Sequence, residues 1–228
     1  MAYLLAMRST RAAVCAAAVV LLGLTACSGG DESLDPDAEE ELLEDAILTD
    51  DDVPDGFEEG EASDSDNDDT LEDCLEEIDL ESDALDDSTI AETDPAAFER
   101  QEGEGFASIE AELRTVDPTE PSEEVLEAMG DDDFRDCVLD GFVSAAEDDE
   151  QEIEDPEIDE ADVPVDADAT GGLTFSGGIS GFDFEGQILV ALVGNHLVSL
   201  ELTSVNDEID EDDVEEMFET MIDRLEAD

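Results

Sequence analysis

Apolar residues recur along this chain with two different periods, and each period predicts a different element. Helical spacing at i, i+3, i+4 and i+7 is met by Leu71, Cys74, Leu75 and Ile78, which predicts a short amphipathic helix with a cysteine on its apolar face. A second helix, from Asp131, puts Phe134, Cys137, Val138, Phe142 and Ala145 on one stripe. A closing helix over 211–225 turns Val214, Met217, Phe218, Met221, Ile222 and Leu225 inward. Glu41 to Leu48 shows the same spacing more briefly. Between Ser122 and Gly130 an N-cap serine, first-turn acids and a closing glycine predict one more helix.

Alternation with period two marks the strands. Ala107, Ile109, Ala111 and Leu113 alternate with polar residues from Gly105 to Val116, the pattern of a half-buried strand, and Asp117-Pro118 ends it. Gln187 to Val193 is an almost continuous apolar run, Gly194-Asn195 can supply the positive-φ residues of a tight turn, and His196 to Leu202 returns. This predicts a hairpin at the centre of a sheet. Leu173-Thr174-Phe175 and Phe182-Asp183-Phe184 bracket expected Gly-rich turns, and Ile153, Ile158 and Val163 can seat an edge strand. Pro95 to Arg100 reads equally as the start of a strand or as a turn. Thr49 to Phe57 is a turn-rich corner, and Glu58 to Asp69 a loop. The sum is an α+β domain, an antiparallel sheet packed against several helices.

The N-terminus carries an address. Arg8 and Arg11 precede an uncharged run from Ala12 to Leu24, the layout of a secretory signal and too short to span a bilayer comfortably. Leu24-Thr25-Ala26-Cys27 then resembles a bacterial lipobox, whose cysteine takes diacylglycerol and becomes the new N-terminus. The alternatives are an ordinary signal peptide with a coincidental cysteine, or an uncleaved anchor. The expected organisation is therefore a signal peptide over 1–26, a lipidated flexible linker over 27–40 with little apolar content, and a single domain over 41–228. Two acyl chains anchor stably, so the mature protein is expected on the extracytoplasmic face of a cell membrane.

Cys15 leaves with the signal and Cys27 is the lipidation site, so Cys74 and Cys137 remain in the exported domain. An isolated pair in an oxidising compartment is most simply a disulfide, here joining two helices. A metal pair or a redox thiol would be the alternatives, but neither CxxC spacing nor a nearby histidine supports them.

Composition narrows the function. The 228 residues hold 74 acids against 6 basic residues, no lysine, and a formal charge of -68, which opposes nucleic-acid or anionic-lipid binding through the surface. Such a charge fits salt adaptation, because molar salt shortens the Debye length to about 3 Å and screens the self-repulsion. A cation-scavenging surface or a disordered acidic chain would be the competing readings; the periodic segments weigh against the latter. The run Asp64 to Asp69 begins like a calcium loop, yet Asp69 stands where glycine is required and Leu75 where glutamate is. No metal site and no cofactor is expected. His196, the single histidine, reads as a solvated turn residue, and Phe98, Phe106, Phe134 and Phe142 read as core. No nucleophile elbow, phosphate loop or zinc spacing occurs, so no catalytic residues are assigned.

The lipobox, the LTDDDVPDGF corner, a cysteine-bearing helix, a SIEAEL strand, a helix reaching FRDC, the ILVALVGNHLVSLEL hairpin and the VEEMFETMIDRL helix together resemble exported lipoproteins with a PknH-type extracellular sensor domain. The last third is more weakly similar to Mog1/PsbP-like lipoproteins. The first resemblance implies a domain with a cleft that takes a ligand, though that family has two disulfides where this chain has one cysteine pair. The expected function is a non-enzymatic ligand-binding or sensor module of the cell envelope, with a small ligand or an envelope protein as partner. The alternatives are an envelope structural or apolar-ligand carrier lipoprotein, and an unmarked hydrolase.

Overall fold

The alternation over 105–116 organises the sheet. The computed structural model describes residues 34–62, 74–75, 78, 80, 83–103, 105–148, 153–179 and 181–227. Cys27, the signal segment, the acidic run 64–69 and most of the helix expected around Cys74 lie outside these residues. Strand β4 (Gly105–Val116) buries Ala107, Ile109, Ala111 and Leu113 completely. Around it stand β1 (Glu58–Glu59), β2 (Thr89–Glu92), β3 (Ala96–Glu102), β5 (Ile153–Glu160), β6 (Ala169–Ile179), β7 (Phe182–Val193) and β8 (His196–Val205).

The eight strands form one antiparallel sheet in the order β1-β3-β4-β8-β7-β6-β5, with β2 also on β4. Of Pro95 to Arg100, ambiguous in sequence, Ala96 to Arg100 is strand. Strands β2 and β3 share one edge of β4, and Thr93 bridges them. Its N–H donates to Leu113 O at 3.0 Å, while Leu113 N–H donates to Thr93 Oγ1 at 3.1 Å. Pro95, which has no N–H for a ladder, falls in the interruption. Both sheet edges are poor templates for another strand: β1 has 2 residues, and β5 is acidic, contains Pro156 and is bulged near Asp155.

Helices cover both faces. On the first, α1 (Pro36–Ala46) and the closing helix, here α5 (Glu211–Glu226), bury Leu43, Ala46, Met217, Phe218 and Met221 against the inward residues of β4, β7 and β8. On the second, α3 (Glu120–Ala128) and α4 (Asp132–Asp148) pack Leu126, Phe134 and Val138 onto Leu173, Phe175 and Leu192. A short α2 (Asp83–Ser88) precedes β2. Strand β7 is apolar from Ile188 to Val193 because both of its sides are covered there: Leu189 and Ala191 belong to the first core, Ile188, Val190 and Leu192 to the second. Gly171 of β6 lets α3 rest on the sheet, since a Cβ there would lie 2.7 Å from Met129 Sδ and 2.9 Å from Leu126 O.

Cys74 and Cys137 are joined in a disulfide, Cα to Cα 5.7 Å. It links a helical residue, Cys74, to α4.

Four expectations are corrected. Helix α1 starts at Pro36 rather than Glu41, inside the stretch read as linker. Asp35 caps it, accepting from Asp37 N–H at 3.3 Å, and proline suits a first helical position. Helix α3 starts at Glu120, after Thr119, because Pro121 fits its first turn; Ser122 is then a buried interior residue rather than the N-cap. Gly177 and Gly178 are not turn residues but pair within β6 with Phe184 and Asp183. In the β7–β8 turn only Gly194 takes a positive φ of 60°; Asn195 instead donates from Nδ2 to Val116 O at 2.9 Å, tying the turn to β4.

Candidate functional site

The second face is only half roofed. Helix α4 carries Phe134, Val138 and Phe142 at intervals of four, so all three point to the sheet. Phe134 and Val138 are buried, whereas Phe142 lies further along and is half-buried against Phe175 of β6 and Phe184 of β7. Its ring stands 5.9 Å from Phe184, nearly parallel, and 5.6 Å from Phe175 at 48°. Beneath these rings is a slot of about 70 Å³, floored by Gly186 and Ile188 of β7 and by Glu201 and Thr203 of β8. Gly186 pairs with Thr203, and Ile188 with Glu201. Gly186 makes room for the Phe184 ring, since a Cβ there would lie 3.2 Å from Phe184 Cζ.

Beyond the slot the face turns polar. Glu201 of β8 stands directly opposite Glu110 of β4, and Ser108 opposite Thr203. Like charges directly opposite on one face repel. Further along, Arg114 Nε donates to Glu112 Oε1 at 2.8 Å and lies 3.8 Å from Glu92.

A second depression lies on the first face, at the ends of β5 to β8. It measures about 660 Å³ and is lined by Glu154, Asp155, Glu157, Asp183, Glu185, Asp207 and Glu208. No cluster of three metal-ligating side chains occurs among the described residues. Its Asp207 is held below the ordinary aspartate value, first by the Glu208 N–H and then by Arg100. Arg100 clamps both oxygens at 3.2 and 3.0 Å, and its guanidinium lies 4.6 Å over the Phe57 ring.

The four arginines of the described residues each pair with a carboxylate: Arg100 with Asp207, Arg114 with Glu112 and Glu92, Arg135 with Asp132, and Arg224 with Asp52. The cations thus staple the fold rather than form a basic patch.

His196 differs from its expected solvated state. Its Nε2 lies 3.3 Å from Glu39 Oε2 in α1, and Thr115 Oγ1 donates to the same carboxylate oxygen at 3.1 Å. The side chain is 19% exposed. Histidine and hydroxyl both address the carboxylate rather than each other, so the trio fastens α1 to the sheet and does not form a nucleophile–base pair.

Of the expected core phenylalanines, Phe98 and Phe134 are buried, Phe106 is half-buried, and Phe142 is half-buried against the second core and also lines the slot. Sequence reading missed Phe184, Gly186, Glu201 and Thr203, although their strands were legible. The signal was the glycine at 186 on the helix-facing side of an otherwise filled strand.

No helix among the described residues is long and apolar enough to cross a membrane. No protein-family model and no curated protein matches the chain. Among solved structures it is similar to the extracellular domain of PknH from Mycobacterium tuberculosis, over 83% of this chain and 97% of that one, with 11% identity and a TM-score of 0.46.

Proposed function

We propose that this protein is an exported, lipid-anchored and non-enzymatic module that binds a small ligand in the slot beneath α4. The observation that carries the reading is the half-roofed second face. An aromatic-walled cavity opens there beside a polar sheet surface, the combination of apolar lining and few polar groups that ligand sites share. The disulfide supports an oxidising, extracytoplasmic compartment, and the signal and lipobox pattern supports attachment through Cys27. A volume of about 70 Å³ is too small for an acyl chain, which favours a sensor over a lipid carrier.

Native mass spectrometry of the protein purified from its own envelope tests this reading. The expected result is a small-molecule adduct that disappears when Thr203→Leu fills the slot. An adduct retained equally by both proteins places the ligand elsewhere, and an acyl lipid as the adduct restores the carrier reading.

A further inference from the structure

The slot also has a charge preference, an inference that rests on the proposal that it is the ligand site. We propose that it accepts the short alkyl end of an ammonium-bearing molecule, with the cation at the rim beside Glu201.

Size sets the apolar part. The walls are Phe142, Phe175, Phe184 and Ile188, and the volume is about 70 Å³, roughly half that of the dry cavity of about 150 Å³ that admits benzene. A chain of a few carbons fits; a ring or an acyl tail does not. Charge sets the other end. Glu201 lines the slot and faces Glu110 across the strand pair. A cation at the rim meets the Glu201 carboxylate that lines the slot, and it gains from the adjacent Phe faces as well. Both carboxylates keep their own contacts within the fold, so the ligand cation joins an existing arrangement. No arginine or lysine lines the slot, and a chain of formal charge -68 repels an anionic ligand before it arrives.

The test uses three probes built on a four-carbon chain, butyltrimethylammonium, 1-butanol and butyrate, titrated into the full-length protein. The methyl NMR signals of Ile188 and Val138 report occupancy. Butyltrimethylammonium is expected to shift them with an affinity at least about fivefold above that of butanol, the equivalent of roughly 1 kcal/mol, while butyrate produces no shift. Glu201→Gln should reduce the ammonium to the level of the alcohol and leave the alcohol unchanged. Salt at about 1 M should shrink the same advantage without protein substitution, so the inference stays testable if the variant fails to fold. Equal binding of ammonium and alcohol overturns the charge preference and leaves the slot standing. Absence of a shift at both methyls with all three probes overturns the slot reading beneath it.

Discussion

Arg224, in the last turn of α5, donates from Nη2 to Asp52 Oδ1 at 2.7 Å and so locks the closing helix onto the corner that follows α1. Its Nη1 reaches Ile47 O at 3.0 Å. Asp52 also accepts from Thr49 N–H at 2.8 Å and Thr49 Oγ1 at 2.7 Å, so one carboxylate serves both a local turn and a contact between chain ends. Burial pushes the Asp52 carboxyl up, but the bonds from Arg224 and Thr49 outweigh it and leave it below the ordinary aspartate value. A lowered folded pKa gives stability that is present above the unfolded value, near pH 3.9, and is lost as pH falls through the folded one. A double-mutant cycle of Asp52→Asn and Arg224→Gln, read by urea unfolding at pH 7, should give a coupling of about 1 kcal/mol. The coupling should fade below pH 4; a coupling near zero at pH 7 removes the pair from the account of stability.

The Cys74–Cys137 disulfide closes a loop with a sequence separation of 63, which on the chain-entropy model corresponds to about 4 kcal/mol. Thiol labelling after denaturation without reductant should find neither cysteine free. The double variant Cys74→Ala, Cys137→Ala should lose about 2–5 kcal/mol and loosen α4 over the slot, weakening ligand binding along with stability. Unchanged melting would assign the bond no structural role.

The sheet and its helices were legible wherever one face of an element is buried and the other wet. Ile109 and Leu113 on β4, and Met217 and Met221 on α5, announce themselves by period because burial is one-sided there. The misreadings occur where another force sets the residue. Gly177 and Gly178 look like turn glycines, but they are strand residues facing Phe184 and Asp183. Acidic composition at 35–40 masked a start signal, Asp35 before Pro36, that local chemistry alone would have supplied. The slot was illegible because it depends on Phe142 of α4 meeting Phe175 of β6 and Phe184 of β7, a relation between segments far apart in the chain.

The proposed attachment through Cys27 predicts that Cys27→Ser moves the protein from the membrane fraction into the medium, or leaves it as an uncleaved precursor. Fractionation and intact-mass measurement distinguish the two. A fully processed Cys27→Ser protein that stays with the membrane overturns the lipid anchor.

Salt dependence follows from charge alone. With 74 acids against 6 basic residues, and the four arginines of the domain already engaged, the remaining carboxylates repel one another through the whole surface. Low ionic strength should lower the melting temperature, and molar salt should raise it by screening. Acid should act in two opposed stages. Asp213, in the first turn of α5, is raised above the ordinary aspartate value, first by burial and then by Asp210, Glu216 and Asp212, against the pull of Arg100. A raised folded pKa means that the folded state binds the proton more tightly, so this stability is full at low pH and is lost as pH rises through the folded value. Asp52 and Asp207, held low, have the opposite sign and withdraw stability as pH falls through their lowered values. At about 10 mM salt, acidification to about pH 5 should therefore raise the melting temperature as repelled carboxylates protonate. Further acid should lower it as the arginine-paired ones follow. At about 2 M salt the first stage should shrink, because screening removes the mutual repulsion but not the burial of Asp213, while the short contacts of Arg224 and Arg100 keep the second. A melting temperature that is flat in salt and falls steadily from pH 7 downward would show that self-repulsion does not limit this fold, and the acidic surface would then call for a dedicated cation-binding role instead.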